Sequence, residues 1–285
     1  MSNPIFIARQ DTLDEKIIPA QLLNDYKLHG EYSFVFHTPE LWHKMCTHAY
    51  AANDQKVNGE ALEYVLTKAA PTGSYSLANS NEFSTISSCA EMAENSTAMS
   101  VLAASETAMS VLADSATARK ALTGSSYYGK YMQNDTMCIA KLAVGFANLA
   151  SVGYSSMAGV AADATAMNAV AASSTAMNAV AASSTAMNAV AASTTAMDAL
   201  YARKKNMSGG SASKSGKFII LEISANNAFD TSKYGYVTLS DGSKPNWGNY
   251  LAKYAFFKQY PKYATYMRND TDSDDYIYYF DITNP

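Results

Sequence analysis

The chain has 285 residues, 48% of them hydrophobic but only 16% charged, against roughly 25% charged in ordinary soluble domains. A net charge of -4 leaves no basic excess to neutralise phosphates, which excludes a dedicated nucleic-acid binder. Length allows about two domains, and three scattered cysteines, Cys46, Cys89 and Cys138, cannot form a disulfide framework. The opening MSNPIFIARQDTLDEK carries Arg9 and no long apolar run, so no secretory signal is expected and synthesis in a cytoplasm is.

Residues 1–85 read as a small α/β domain. Tyr32 to His37 is a predicted strand, and Thr38 with Pro39 makes a cap and first-turn pair for a helix through Trp42, Met45 and Ala49. A second helix, Gly59 to Ala70, aligns Leu62, Val65, Leu66 and Ala69 before Pro71 and Gly73 stop it. His29, His37, His43 and His48 fall here with Cys46, but their spacing matches no zinc pattern, so packing or surface roles are expected.

The low charge comes from the central part of the chain. No charged residue lies between Ala164 and Met197, and 17 of the 40 residues from Ala161 to Leu200 are alanine. Leu, Ile and Phe are missing from the charge-free run while Ser, Thr and Asn recur, which excludes a membrane span. The run is a tandem decad, S-T-A-M-N-A-V-A-A-S, from Ser174 to Ser183 and again from Ser184 to Ser193, with looser copies from Tyr154, Ala164 and Thr194. An earlier block has the same period: S-T-A-M-S-V-L-A-A-S from Ser96, E-T-A-M-S-V-L-A-D-S from Glu106, and a decayed copy from Ala116 to Ser125. The predicted organisation is therefore block 1 at 86–125, a Tyr/Gly insert and helix at 126–153, and block 2 at 154–204.

Ten residues overshoot two turns of an α-helix and fall about 80° short of three, so an apolar stripe would drift around an unbroken rod. Breaking the helix once per decad removes the drift. Ser174 is the expected cap, Thr175 to Ala182 the helix, and Ser183 with Ser184 the next turn. The same drift scatters the recurring threonines and argues against ice binding, alanine is a poor strand former for a β-solenoid, and the regular Met and Val positions do not suit a disordered linker. Helices of about eight residues are marginal alone, so the units must stack on neighbours in their own chain and in others. Met99, Met109, Met167, Val170, Met177, Val180, Met187, Val190 and Met197 are the expected seam between chains, with a threefold assembly as the natural guess.

Residues 205–217 read as a flexible basic linker. Beyond it, residues 218–285 form an expected β-rich tip, with strands at FIILEIS, YGYVTL and YIYYFDI. Sixteen aromatic residues lie between Phe218 and Phe280, ten of them tyrosine. Large stiff rings with polar tips suit recognition of sugars or proteins, which makes Trp247, Tyr250, Tyr254 and Tyr276 candidate receptor contacts; packing of a small domain is the alternative. Asp270, Asp272 and Asp274 alternate as in the first half of a calcium loop, but the glycine at the sixth position and the glutamate at the twelfth are missing, so an acidic turn is the competing reading. The sequence carries no glycine-rich phosphate loop, nucleophile elbow or zinc-spaced set, so neither an enzyme nor a cofactor is expected.

The decads S-T-A-M-N-A-V-A-A-S and S-T-A-M-S-V-L-A-A-S resemble repeats of tailed-bacteriophage fibre proteins, over residues 86–204. The resemblance implies a head, collar or tail fibre of a virion, a homotrimer with an N-terminal domain that docks on other virion proteins, a repetitive shaft and a C-terminal tip. Some head fibres of this kind have shafts of stacked helix-turn-helix units. The expected fold is thus multidomain α+β: a small α/β N-terminal domain, a trimeric α-helical decad shaft and a β-rich tip. The expected role is structural, with the tip contacting the host surface, where a cell-surface glycan is one candidate partner, or another protein. An internal collar or connector part, and a carbohydrate-binding adhesin or depolymerase tip, are the alternatives.

Overall fold

The computed structural model describes residues 89–104, 106–210, 212–224, 234–246, 250–271 and 275–285; the strand, helices and histidines read in residues 1–85 lie outside them. Within the described residues the chain mixes α-helices with an antiparallel β-sheet, and it divides into two compact units.

The first unit, described from Cys89 to Gly145 with Ala150–Gly153, is helical. Its elements are α1 (Cys89–Ala93), α2 (Ser96–Ala103), α3 (Glu106–Asp114), α4 (Ala116–Gly124), α5 (Tyr128–Tyr131) and α6 (Thr136–Phe146). Side-chain oxygens start several of them: Asn95 Oδ1 accepts from the Ala98 N–H, Ser115 Oγ from Ala118, and Asp135 Oδ1 from Cys138, each satisfying a donor that a helix N-terminus leaves orphaned. The chain coils so that helices three apart meet: α4 packs on α1, and α5 on α2. The Ser125 hydroxyl, just after α4, donates to the Ala93 carbonyl at the end of α1, 2.5 Å away and 32 residues back.

Two features lock α6 against α3. A Cβ on Gly145 would lie 2.0 Å from the Ala113 carbonyl oxygen, so only glycine permits this approach. Lys141, fully buried, reaches Glu106 at 3.5 Å and donates to the Ser151 carbonyl at 3.3 Å, while burial pulls its ammonium below the usual lysine range. Burial also pushes the Cys138 thiol far above the ordinary range for cysteine, beside Asp135.

The second unit carries α7 (Met157–Ala162), α8 (Ala164–Ala172), α9 (Ser174–Ala181), α10 (Ser184–Ala192) and α11 (Thr194–Tyr201). Here α10 packs on α7 and α11 on α8, so three decads complete one turn of a coil. A sheet comes next, built from β1 (Lys205–Ser208), β2 (Ala212–Ser224), β3 (Gly235–Leu239), β4 (Tyr250–Leu251), β5 (Ala264–Asn269) and β6 (Tyr276–Asp281), with a short helix α12 (Ala255–Gln259) before β5. Its strand order is β1-β6-β2-β5-β3, with β4 pairing the end of β2, and all pairs are antiparallel. Phe218, Ile220 and Ile223 of β2 pack with Val237, Met267, Ile277 and, from α12, Phe256 to fill the core on one face.

Residues 205–217 are not a linker. Lys205–Ser208 is strand β1, paired with β6, and the stretch from Ala212 pairs with β5 as the first half of β2. The alternation is hidden in polar letters. Ser213 and Ser215 are exposed, whereas the half-buried Lys214 holds its ammonium by the rings of Phe218 and Tyr279 and 2.9 Å from the Tyr279 hydroxyl. Gly216 sits beneath the Phe218 ring, where a Cβ would meet that ring at 2.5 Å.

Candidate functional site

Within a decad the chemistry is sparse. In α9 the buried residues are Ala176, Met177, Val180 and Ala181, and the matching four are buried in α8 and α10. Alanine, the strongest helix former, lets the backbones approach, and Met and Val fill the remaining volume. The α9 helix is started by Ser173, the residue before the Ser174 predicted. Ser173, Ser183 and Ser193 have extended backbones and accept from the N–H of Ala176, Ala186 and Ala196 respectively, each at 3.2 Å; Ser174 and Ser184 are already helical. Asp163 does the same for α8 and also accepts from the Tyr154 hydroxyl. The N–H of Ala166, first, and that hydroxyl hold its carboxyl below the usual aspartate range.

The cap hydroxyl has a second task. Ser193 Oγ donates to the Ala161 carbonyl at 2.5 Å, joining the start of α11 to the last turn of α7, 32 residues earlier. Ser193 thus satisfies an orphan donor of its own helix and an orphan acceptor of the helix in the turn before. In the first unit Ser125, which follows α4, also links turns of the coil: its hydroxyl donates to the Ala93 carbonyl and accepts from the Tyr127 N–H, although it is not a helix N-cap.

The expected seam between chains is placed differently. Met99, Met109, Met167, Val170, Met177, Val180, Val190 and Met197 have no exposed surface in the single chain, and Met187 has 2%. They are buried within the single chain, and where helices three apart meet, as α10 on α7 and α11 on α8, that stacking helps to cover the apolar stripes. What α8, α9 and α10 present outward is Ser, Thr, Asn and Ala. Asn168 and Asn178 donate to the carbonyls of Ala164 and Ser174 four residues back, each at 2.8 Å.

The sheet is docked onto the last decad by a polar-aromatic cluster. The Tyr201 hydroxyl at the end of α11 donates to Glu222 of β2 at 2.5 Å, and that bond pushes the Tyr201 phenol up to about 12. Tyr254 sits edge-on to Tyr201 with centroids 5.6 Å apart, and its hydroxyl donates to Asp198. Lys253 pairs with Asp198 at 3.1 Å while lying over both rings. The Tyr254 hydroxyl, then Lys253, hold the Asp198 carboxyl below its usual range. Lys217 of β2 adds a bond to Asn178 Oδ1 at 2.8 Å.

Of the four candidate receptor contacts, Tyr254 is 6% exposed and belongs to this docking cluster, so it packs the domain. Tyr276 lies at the start of β6 beside Tyr278, rings 5.9 Å apart. Tyr250 opens β4, its backbone paired with Ser224, and Trp247 lies outside the described residues. Asp272 and Asp274 also lie outside them. Asp270 pairs with Arg268 at 2.5 Å, and among the described residues no group of three His, Cys, Asp or Glu side chains converges on a metal position. Among those residues no helix is long and apolar enough to cross a membrane.

Sequence reasoning passed over one surface, formed by Tyr236, Tyr266, Arg268 and Lys244. Tyr236 and Tyr266 stand on neighbouring strands with ring centroids 5.5 Å apart, and the Lys244 ammonium is 4.4 Å from the Tyr236 centroid. The strand alternation G-Y-V-T-L was the available signal, since it sends Tyr236 and Thr238 away from a core that takes Val237 and Leu239. No protein-family model matches the chain, and no curated protein is similar to it.

Proposed function

We propose that the chain is a non-enzymatic structural protein of a bacteriophage virion, a homotrimeric fibre that projects from the particle and contributes to attachment at the host surface. In this reading residues before the decads anchor it to other virion proteins, the decads give it length, and the C-terminal sheet is the tip. The observation that carries the proposal is how the decads are used: the three from Ala164 to Ala192 each contribute one capped helix whose outer side holds only Ser, Thr, Asn and Ala, and whose inner side is buried. Such a module adds extent without adding a pocket. The trimer comes from the resemblance of the decads to phage fibres, and not from the Met and Val positions, which are spent inside one chain.

Two measurements on the full-length chain test this reading. Light scattering with electron microscopy is expected to give an elongated trimer, and antibodies against the sheet are expected to label intact phage particles at appendage ends. A compact monomer that labels no particle refutes it. The collar or connector reading predicts labelling only after particles are opened. An adhesin reading keeps the tip's role and drops the virion; the tyrosine-bearing open face of the sheet favours surface recognition in either setting.

A further inference from the structure

The outer side of β2, β5 and β3 is laid out in two rows across the strands. Register pairs place Ser213, Arg268 and Tyr236 in one row and Ser215, Tyr266 and Thr238 in the next. Directly paired residues of antiparallel strands project to the same side, and here that side is opposite the core, since Val237, Leu239 and Met267 point inward. The face keeps its access to solvent: Ser213, Ser215 and Arg268 are exposed, and Tyr236, Thr238 and Tyr266 are half-buried.

Three properties narrow what such a face holds. Neither row contains an aliphatic side chain, so the apolar surface of the face is confined to the two tyrosine rings. The two tyrosines, tilted 33° to one another, offer a shallow aromatic floor about 10 Å wide at normal strand spacing, the breadth of one or two sugar rings. Around that floor stand three hydroxyls and two cations. Arg268 shares its charge with Asp270, and Lys244 lies over the Tyr236 ring, held there by a cation–π contact that a carboxylate can outcompete.

We propose that this face binds an acidic saccharide, its ring faces lying on Tyr236 and Tyr266 and its carboxylates met by Lys244 and Arg268. The inference rests on the reading of the C-terminal sheet as a host-contacting tip and names the ligand class that tip takes. Stacking supplies the sugar's apolar C–H face with a partner, Ser213, Ser215 and Thr238 exchange hydrogen bonds with its hydroxyls, and the cations select charge.

The test uses the full-length chain and three immobilised polymers: polygalacturonate, neutral dextran, and polyglutamate as an acidic polymer without sugar rings. Polygalacturonate is expected to bind at least tenfold more tightly than either of the others. Tyr266→Ala and Lys244→Glu are each expected to weaken it at least tenfold, and Tyr276→Ala to leave it unchanged, with circular dichroism matching the parent protein in all three. Equal binding of polyglutamate, unchanged binding by Tyr266→Ala, loss on Tyr276→Ala, or no binding of polygalacturonate overturns the assignment. Each of these leaves the fibre reading to be judged by particle labelling and molecular shape, and a chain that binds polygalacturonate through Tyr266 but labels no particle retains the site while losing the virion.

Discussion

Replacing Ser193 by alanine removes one hydroxyl that serves two helices. The lost cap at the Ala196 N–H is worth about 1 kcal/mol, and the buried Ala161 carbonyl loses its bond, worth about 1 kcal/mol more. Both bonds are part-buried, at 3.2 and 2.5 Å, so the expected destabilisation is about 2 kcal/mol, or roughly a 30-fold rise in the open population. Ser193→Gly separates the two contributions, because glycine costs only a few tenths of a kcal/mol as a cap yet still loses the link to Ala161; about half the effect should remain. Ser174→Ala is the matched control, a serine in the first helical turn instead of the cap, expected to change stability by less than about 0.5 kcal/mol. Denaturant titration of the full chain gives the free energies, and amide exchange at Ala196 reports the local opening. Equal effects of Ser193→Ala and Ser174→Ala would refute the double role of the cap hydroxyl.

Three further outcomes are expected. Gly145→Ala drives a Cβ into the Ala113 carbonyl, 2.0 Å away, and should cost about 2 kcal/mol or more, whereas Gly124→Ala, with nothing within 4 Å of its added carbon, should be neutral or stabilising; thermal melts of the two variants decide it, and equal melting points would contradict the close approach. Met177→Asp places a charge at a fully buried position and should unfold the helices at every protein concentration by more than about 4 kcal/mol, while Met177→Leu costs under about 1.5 kcal/mol; a folded chain that merely changes oligomeric state would return Met177 to a seam between chains. Burial raises the Cys138 thiol in the folded chain above its ordinary value of 9.0, so the folded state keeps a proton the unfolded state gives up. The stability tied to that proton is whole below pH 9 and falls as pH rises above it, by about 1 kcal/mol per pH unit. Cys138→Ala should flatten this alkaline slope in urea titrations between pH 8 and pH 10.5, and an unchanged slope would sink the assignment.

The period of the decads was legible, because Met and Val recur at a spacing that no unbroken helix can keep on one side. Which serine caps was not: Ser173 and Ser174 are equally good capping residues in sequence, and only the backbone, extended at Ser173, distinguishes them. Nor was the identity of the neighbour on which each stripe packs. A ten-residue unit needs a partner, but the letters do not say whether it lies thirty residues away or in another chain; the hydrogen bonds from Ser125 to Ala93 and from Ser193 to Ala161 settle this within the chain. The strands at 205–208 and 212–217 escaped because the residues on their core side include Lys214, which reads as solvent-seeking until its ammonium is seen beside Phe218 and Tyr279. Among the tyrosines, composition could not separate those that pack, such as Tyr254, from those on the open face, such as Tyr236; the alternation around Val237 and Leu239 could have.

Because three decads close one turn of the coil, the number of repeats sets a direction as well as a length. The copies at Ser174–Ser183 and Ser184–Ser193 are identical, the kind of tract in which a coding sequence gains or loses a unit by misalignment. Removing one decad would leave every helix capped and every stripe covered, yet would swing the rest of the chain by about a third of a revolution. Losing three would restore the original heading on a shorter stem. Lineages carrying this chain should therefore tolerate changes of thirty residues more readily than changes of ten wherever the sheet must face a fixed neighbour, and the spread of repeat numbers among them would record how strictly that bearing is kept.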